Sequence, residues 1–429
     1  MNDQTAKLVR TVGFWGLVAM CINAVIGSGV FLLPSETYKL LGPWSLWAPL
    51  IFAVPVFILV LCFAEAASHF SEPGGAYLYA KTAFGDFIGF ETGWMNWLAR
   101  VTSLASLSNG FVIALSRLFP GLESGPPRTA VIVATIVILA AIHYVGVRYG
   151  AASIYVFTFG KLIPLVGFIV VALIAWRHNP IPASMALPGP GTDWNAAALF
   201  MLFAYAGFEN LGVPAGEYKN PRRELPLALL TGILCIALIY VLAQLGAMSA
   251  IPDLSTSKTP IADAAAVLIG PLGAILITIG ALLSMAGTNS GTMLEGSRML
   301  FALSLGRRLG PLSRVHPRFR TPNIAILIHA LVALVLALAG SFVQMAMMST
   351  VARLTTYLVT SAAVPRLRKL NQGEPGFRLP GGPVIPILGV IVSLLVFLTL
   401  SKVNFLAAAI AITVGAVIYF ISTPRTAVE

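Results

Sequence analysis

The sequence predicts an all-α membrane protein with about twelve transmembrane helices. Of its 429 residues, 58% are hydrophobic and 10% are charged, whereas a soluble domain carries roughly 25% charged residues. Its mean hydropathy is +0.88. A chain with so little charge cannot cover the surface of a water-soluble globule. It can face lipid, because the hydrocarbon core is itself apolar.

Twelve apolar segments are long enough to cross a bilayer, since about 20 helical residues span a hydrocarbon core of about 30 Å. The predicted spans in chain order are 12–41, 44–69, 86–119, 129–148, 151–176, 194–219, 226–250, 266–305, 323–340, 341–365, 383–401 and 403–422. Turn formers such as Gly42 and Pro43 separate them.

The placement of Lys and Arg predicts the orientation. With a cytoplasmic N-terminus, the inner side receives Lys7, Arg10, Lys81, Arg148, Lys219, Arg222, Arg223, Arg307, Arg308, Arg314, Arg318, Arg320, Arg366, Arg368, Lys369, Arg378 and Arg425. The outer side receives Lys39, Arg117, Arg128, Arg177, Lys258 and Lys402. This asymmetry predicts a multi-pass protein of the plasma (inner) membrane with both termini in the cytoplasm. It also explains the net charge of +11 better than binding of nucleic acid does.

The sequence carries no signature of an enzyme, a metal site or a cofactor. It has no HExxH, no GxSxG elbow and no P-loop. Its cysteines, Cys21, Cys62 and Cys235, lie within apolar segments, so we expect no disulfide-linked subunit.

Two spans carry glycine near their middle. The first contains NAVIGSGV at residues 23–30, and the sixth contains FAYAGFEN at residues 203–210. Glycine inside a helix costs about 1 kcal/mol relative to alanine and permits unwinding. Interrupted helices at corresponding positions of two halves indicate the binding site of a transporter.

The chemistry of such a pair of breaks suits an amino acid. Freed N–H groups at the positive end of a half-helix bind a carboxylate, and freed carbonyl groups accept hydrogen bonds from an ammonium. The alternative is that Gly27, Ser28 and Gly29 form a small-residue face for close helix packing.

Four motifs in the expected order resemble those of the amino acid–polyamine–organocation family. They are IGSGVFLLP at residues 26–34, FAEAASHFSEPGGAYLY at 63–79, GFEN and EYKNPRRELP within 203–226, and GSRMLF at 296–301. The resemblance implies one transporter domain over residues 1–429, built as a five-plus-five inverted repeat with discontinuous helices 1 and 6. The first repeat covers about 12–176, the second about 194–365, and helices 11 and 12 cover about 383–422.

The resemblance also implies which residues bind the substrate. The helix 1 backbone would hold it at Ile26, Gly27, Ser28 and Gly29, and helix 6 would hold it around Phe203, Ala204, Tyr205, Ala206 and Gly207. Phe203 stands where other family members have an aromatic gate over the substrate. Gly291 departs from an arginine-transporting member, which has a tryptophan near this position, and this departure argues against arginine-like specificity.

Charged residues inside the spans are functional candidates by default. Lys161 resembles the helix 5 lysine of family members that do not depend on sodium. We expect it to approach the unwound helix 1 and hydroxyls of helix 8 such as Ser284 or Thr288. It would carry the coupled proton or act as a fixed structural cation. Glu209 would brace the helix 6 break or take part in proton movement.

Other charged residues have predicted structural roles. Glu295 and Arg298 lie three residues apart and are expected to form a local ion pair. Arg353, Glu91 and Arg100 are interpreted as structural, with contact to a substrate side chain left open. Glu65, Glu72 and Lys81 are at most gate or docking residues.

Together these features predict a secondary active transporter of amino acids that works by alternating access. Neutral amino acids are favoured, because no carboxylate stands where a cationic side chain would reach. Proton symport without sodium is the first expectation. The alternatives are exchange of amino acids, amines or polyamines against a counter-substrate, and a membrane sensor with a transporter fold.

Overall fold

The computed structural model describes residues 12–70, 74–146, 151–178, 191–212, 218–305, 307, 309–370 and 376–422. Within these ranges the chain is helical, and its single β contact is an isolated bridge between Val12 and Tyr218. The all-α prediction is therefore confirmed. Several residues named above lie outside the described ranges, namely Lys7, Arg10, Glu72, Arg148, Arg308 and Arg425.

Fifteen α-helices follow one another in the described ranges. They are α1 (Phe14–Val25), α2 (Gly29–Leu41), α3 (Ala48–Ser68), α4 (Gly75–Phe84), α5 (Asp86–Ser116), α6 (Gly125–Val145), α7 (Ala151–His178), α8 (Trp194–Tyr205), α9 (Pro221–Ala250), α10 (Pro260–Leu268), α11 (Pro271–Ser304), α12 (Asn323–Ala339), α13 (Phe342–Lys369), α14 (Val384–Leu398) and α15 (Lys402–Ser422).

Seven of these helices are each long and apolar enough to cross a membrane, namely α3, α5, α6, α7, α9, α11 and α15. An eighth candidate consists of α1 and α2, which meet at a bend of 47°. The apolar helices α8, α12 and α14 are shorter. These helices agree with a polytopic membrane protein, while the count of twelve spans stays a prediction.

The predicted span 266–305 is divided in the structure. The preceding helix α10 ends at Leu268, and α11 begins at Pro271. Gly270 between them has φ +92°, a backbone conformation that favours glycine. Proline in the first turn of α11 needs no hydrogen-bond acceptor for its nitrogen, so these two residues set the start of the long helix.

Helix α5 lies at the centre of the protein and packs against α11 and α13. Most of its residues are buried, including small ones such as Ala99 and Ala105. The outer helices instead expose large apolar side chains, as α6 does with Val137, α7 with Ile163 and α15 with Phe420. This distribution is the one expected when lipid surrounds the bundle.

Candidate functional site

The first break separates α1 from α2. Helix α1 ends at Val25, and α2 begins at Gly29. The N–H of Ile26 still donates to the carbonyl of Ile22 at 2.9 Å. Among the described residues, the N–H groups of residues 27–30 then have no hydrogen-bond acceptor. The positive end of α2 therefore presents several unpaired donors inside the protein.

The second break follows α8. This helix ends at Tyr205, Ala206 is extended with ψ 148°, and a 3-10 turn occupies Phe208–Asn210. Gly207 between them has φ +128°. One carboxylate oxygen of Glu209 accepts the N–H of Gly207 at 2.8 Å. The side chain that was predicted to brace this break or to move a proton thus contacts the unwound backbone directly.

The carbonyl groups around this break differ in their partners. The carbonyl of Phe203 accepts the N–H of Ala206 at 3.2 Å. That of Ala204 accepts the hydroxyl of Tyr240 at 2.7 Å. Within the described part of the chain, the carbonyls of Tyr205 and Ala206 have no donor. The family resemblance implies that the carbonyls of Phe203, Ala204 and Ala206 meet an ammonium, and of these three that of Ala206 is without a donor in the described ranges.

The two breaks lie against each other, and glycine permits the close approach. A Cβ atom on Gly29 would lie 3.1 Å from the Cα atom of Ala204. A Cβ atom on Gly207 would overlap the backbone carbonyl of Ala24. The unpaired amides of α2 and the end of α8 therefore lie side by side.

Lys161 of α7 and Ser284 of α11 fix the carbonyl end of α1. The ammonium of Lys161, which is fully buried, donates to the carbonyls of Asn23 at 3.0 Å and Ile26 at 2.5 Å. The hydroxyl of Ser284 donates to the carbonyls of Ile26 at 3.0 Å and Gly27 at 2.9 Å. Among the described residues, no group of three or more His, Cys, Asp or Glu side chains could hold a metal ion here.

Several buried polar atoms near the breaks have no hydrogen-bond partner among the described residues. They are Oδ1 of Asn23, Oγ of Ser28, Oδ1 of Asn210 and Oγ1 of Thr288. The Thr288 hydroxyl lies beside Gly27, 3.5 Å from where a Cβ atom on that glycine would stand. Because buried polar atoms rarely stay unpaired, this cluster indicates a place for water or a polar ligand.

The remaining predicted binding residues differ in their surroundings. Phe203 lies near the end of α8, and its ring packs edge-on against Phe342 with centroids 6.3 Å apart. Gly291 faces open space, because a Cβ atom there would meet nothing within 4 Å. The hydroxyl of Tyr205 instead donates to the carbonyl of Pro49 at 2.7 Å, so only the backbone of Tyr205 is available.

An ion pair connects the α8 break to α13. The Nε of Arg353 lies 2.7 Å from a carboxylate oxygen of Glu209, and both side chains are buried. The same guanidinium donates to the hydroxyl of Ser103 in α5 at 3.0 Å. The Tyr357 hydroxyl donates to Glu209 at 3.4 Å. Arg353, interpreted as structural from the sequence, thus holds the carboxylate that braces the break.

A second ion pair lies between α5 and α11, where Arg100 pairs with Glu295. Arg100 also donates to the side-chain oxygen of Asn96 at 3.2 Å. The sequence had suggested a local pair of Glu295 with Arg298. The observed partner comes from another helix, because the Glu295 side chain faces α5. Sequence spacing along one helix carries no information on such a partner.

Two further acidic residues have distinct surroundings. Both carboxylate oxygens of Glu91 are buried and have no hydrogen-bond partner in the described ranges, and they face Gly415 of α15. Glu65 instead accepts two hydrogen bonds from Arg368, at 2.6 and 2.7 Å, and one from the N–H of Leu379 at 3.0 Å. Glu65 therefore fixes the segment before α14 to the ends of α3 and α13.

Comparison with known proteins shows which family the chain is similar to. The amino acid permease family model matches residues 16–426. The serine/threonine exchanger SteT of Bacillus subtilis (strain 168) is 30% identical over 426 residues, which cover 97% of this chain and 96% of the relative. The branched-chain amino acid permease BcaP of the same organism is 28% identical, with 97% and 93% covered. Its methylthioribose transporter is 24% identical, with 98% and 95% covered.

These matches run through both broken helices and continue to the last helix of the chain. The resemblance inferred from the four motifs is confirmed. The chain is a membrane protein of the amino acid permease family, within the amino acid–polyamine–organocation superfamily.

Proposed function

We propose that this protein is a secondary active transporter that binds an amino acid between the two helix breaks. The observation that supports this most directly is the set of unpaired amides at residues 27–30 beside the unpaired carbonyl of Ala206. The amides suit an α-carboxylate and the carbonyl suits an α-ammonium. Both groups belong to every free α-amino acid, so this pair recognises the class and leaves the side chain to other residues.

The proposed architecture is the five-plus-five inverted repeat with twelve spans. The first repeat covers about 12–176 and the second about 194–365, within one domain, and both termini are cytoplasmic. The bend of 47° between α1 and α2 and the break after α8 support this, since interrupted helices occur at corresponding positions of such repeats. Transport proceeds by alternating access in the plasma membrane, with Phe203 as the outer gate. Movement of the predicted spans 1, 2, 6 and 7 (12–41, 44–69, 194–219 and 226–250) opens the binding site to the cytoplasm.

The proposed substrates are neutral amino acids. The acidic side chains Glu209 and Glu295 are already paired, with Arg353 and Arg100 respectively. A charged substrate side chain would have to compete with these pairs, and breaking the buried pair of Glu209 with Arg353 costs about 3–5 kcal/mol. The open space at Gly291 leaves room for an uncharged side chain. Two relatives are named for serine/threonine and branched-chain amino acids, which agrees with this class.

Lys161 is proposed to take the place of a coupling sodium ion. Its ammonium already binds the carbonyls of Asn23 and Ile26, which are the kind of ligand that a hard cation prefers. In proton symport Lys161 would release its proton during the cycle. In exchange it would stay charged as a structural cation. Exchange is the second candidate, favoured by the relative that is named an exchanger.

The test is uptake of radiolabelled amino acids, amines and polyamines into proteoliposomes, with and without an inward proton gradient and with and without internal amino acid. Gly27→Leu places a side chain between Leu107 and Thr288, each about 3.4 Å from the new Cβ atom. Gly167→Leu is the matched control, since its Cβ atom would meet nothing within 4 Å on an exposed face. We expect Gly27→Leu to lose uptake while Gly167→Leu retains it.

Each outcome has a defined meaning. Accumulation driven by the gradient establishes proton symport. Uptake that requires internal amino acid establishes exchange and leaves Lys161 as a structural cation. If no compound moves under either condition while the purified protein is folded, the transport proposal is wrong and the sensor hypothesis replaces it. Full uptake by Gly27→Leu would show that the substrate does not use the α1 break.

A further inference from the structure

An apolar groove lies between α6 and α12 on the side of the helix bundle. It has a volume of about 400 Å³, and its lining includes Ile136, Val137, Ala140, Leu327, Leu331 and Leu334. These are uncharged hydrocarbon side chains, and several of them are exposed on the surface of the bundle. A groove of this composition on a lipid-facing surface accommodates hydrocarbon and excludes polar ligands.

The groove ends at a basic loop. Tyr144 lines its end and contacts the loop directly, because its carbonyl accepts the hydroxyl of Thr321 at 2.7 Å. The Tyr144 ring also packs against those of His316 and Phe319, with centroids 5.5 and 5.9 Å away. The loop before α12 is therefore held in a fixed position beside the groove.

The arginines of this loop have no acidic partner in the part of the chain that the structure describes. Arg314, Arg318 and Arg320 are exposed, and none belongs to an ion pair among the described residues. The sequence contains no Asp or Glu between Glu295 and Glu374. Helix α12 also begins without a side-chain cap, so the positive end of its dipole lies at the same surface.

We propose that this groove and loop form a binding site for an anionic phospholipid. One acyl chain lies in the groove between α6 and α12, and the headgroup phosphate binds Arg314, Arg318 and Arg320. The charges are complementary, and basic clusters beside grooves between membrane helices bind anionic headgroups in general. The fixed position of the loop on Tyr144 places the headgroup and acyl-chain sites next to each other.

A basic loop is also expected for topology alone, because Lys and Arg are enriched on the cytoplasmic side. That explanation does not involve the groove. It predicts that any three exposed basic residues on this face contribute equally to binding of an anionic lipid. The segment Lys219, Arg222 and Arg223 provides the comparison, since all three residues are exposed and carry the same total charge.

The experiment is a lipid titration of the purified full-length protein, followed by native mass spectrometry. The probes are phosphatidylglycerol, phosphatidylcholine with the same acyl chains, and glycerol phosphate as a headgroup without chains. The loop variant carries Arg314→Gln, Arg318→Gln and Arg320→Gln, and the control carries Gln at Lys219, Arg222 and Arg223. A third variant, Ala141→Trp, fills the groove from an exposed lining position without changing charge.

We expect the parent to bind phosphatidylglycerol more tightly than phosphatidylcholine, and glycerol phosphate not to compete. Each arginine near a headgroup contributes about a fivefold gain in affinity, so the loop variant should bind more weakly by on the order of 100-fold. Ala141→Trp should also bind weakly, and the control should match the parent. Equal loss in the loop and control variants would overturn the proposal, as would undiminished binding by Ala141→Trp. Competition by glycerol phosphate would reassign the loop as a site for free phosphate esters.

Discussion

Replacement of Gly207 by alanine is the sharpest test of how the two broken helices fit together. Gly207 has φ +128°, a conformation that residues with a Cβ atom adopt at a cost of about 1–3 kcal/mol. The new methyl group would also overlap the carbonyl of Ala24, which belongs to backbone and cannot rotate away. The expected destabilisation is therefore at least about 2 kcal/mol, with a shift of α1 relative to the end of α8.

The matched control is Gly27→Ala, in the other break. Its Cβ atom would meet only the side chains of Leu107 and Thr288, at 3.4 Å, and the φ angle of Gly27 is not positive. We expect this variant to unfold at the temperature of the parent. Gly207→Ala should therefore lower the stability while Gly27→Ala leaves it unchanged, because only Gly207 has a positive φ angle and a backbone carbonyl where its Cβ atom would lie.

The assay is thermal unfolding in detergent, followed by uptake in proteoliposomes. From average unfolding entropies per residue, about 2 kcal/mol corresponds to a Tm lower by about 2 °C for a chain of this length. Uptake by Gly207→Ala should be lost, because the unpaired carbonyl of Ala206 moves relative to the amides of α2. If Gly207→Ala has the Tm and uptake rate of the parent, the close approach of the two breaks described here is wrong.

Three further predictions concern the charged groups and the open space. Lys161→Ala should abolish uptake and lower Tm, because two charge-assisted hydrogen bonds worth about 1.5–3 kcal/mol each are lost. The control Lys258→Ala, at an exposed ion pair, should leave both uptake and Tm unchanged. Retained uptake with an unaltered pH profile in Lys161→Ala would contradict the coupling role. Glu209→Gln and Arg353→Met should each destabilise the protein by about 3–5 kcal/mol, since each leaves a buried partner unpaired. The double variant should regain part of that loss in a thermal unfolding series, and strictly additive losses would show that the pair does not interact. Gly291→Trp should unfold at the temperature of the parent, since its side chain enters open space. Its uptake of large neutral amino acids should fall more than its uptake of small ones. An unchanged substrate profile would place Gly291 outside the pocket.

Features that depend on local sequence could be predicted. The bend between α1 and α2 falls at Gly27, Ser28 and Gly29, because a run of small residues in an apolar segment weakens the helix wherever it occurs. The interruption after α8 falls at Gly207 for the same reason. The approach of Lys161 to the first break was inferred from family resemblance, and the structure adds its two carbonyl acceptors.

Features that depend on contacts between distant segments could not be predicted. Glu209 and Arg353 are 144 residues apart, and Arg100 and Glu295 are 195 apart. Nothing in the spacing along either helix identifies such partners, so the sequence suggested a neighbour for Glu295 instead. The direction of the Tyr205 side chain, toward Pro49, was missed because it depends on how α8 packs against α3.

The two ion pairs that join distant helices bear on how the protein responds to voltage. A single elementary charge moved across the bilayer gains or loses about 2.3 kcal/mol per 100 mV of membrane potential. In each of the pairs Arg353 with Glu209 and Arg100 with Glu295, the two opposite charges sum to zero for as long as the pair stays intact. The membrane potential therefore does almost no net electrical work on a helix movement that keeps these pairs intact. Only a movement that separates the break after α8 from α13, or α5 from α11, would expose single charges to the membrane potential.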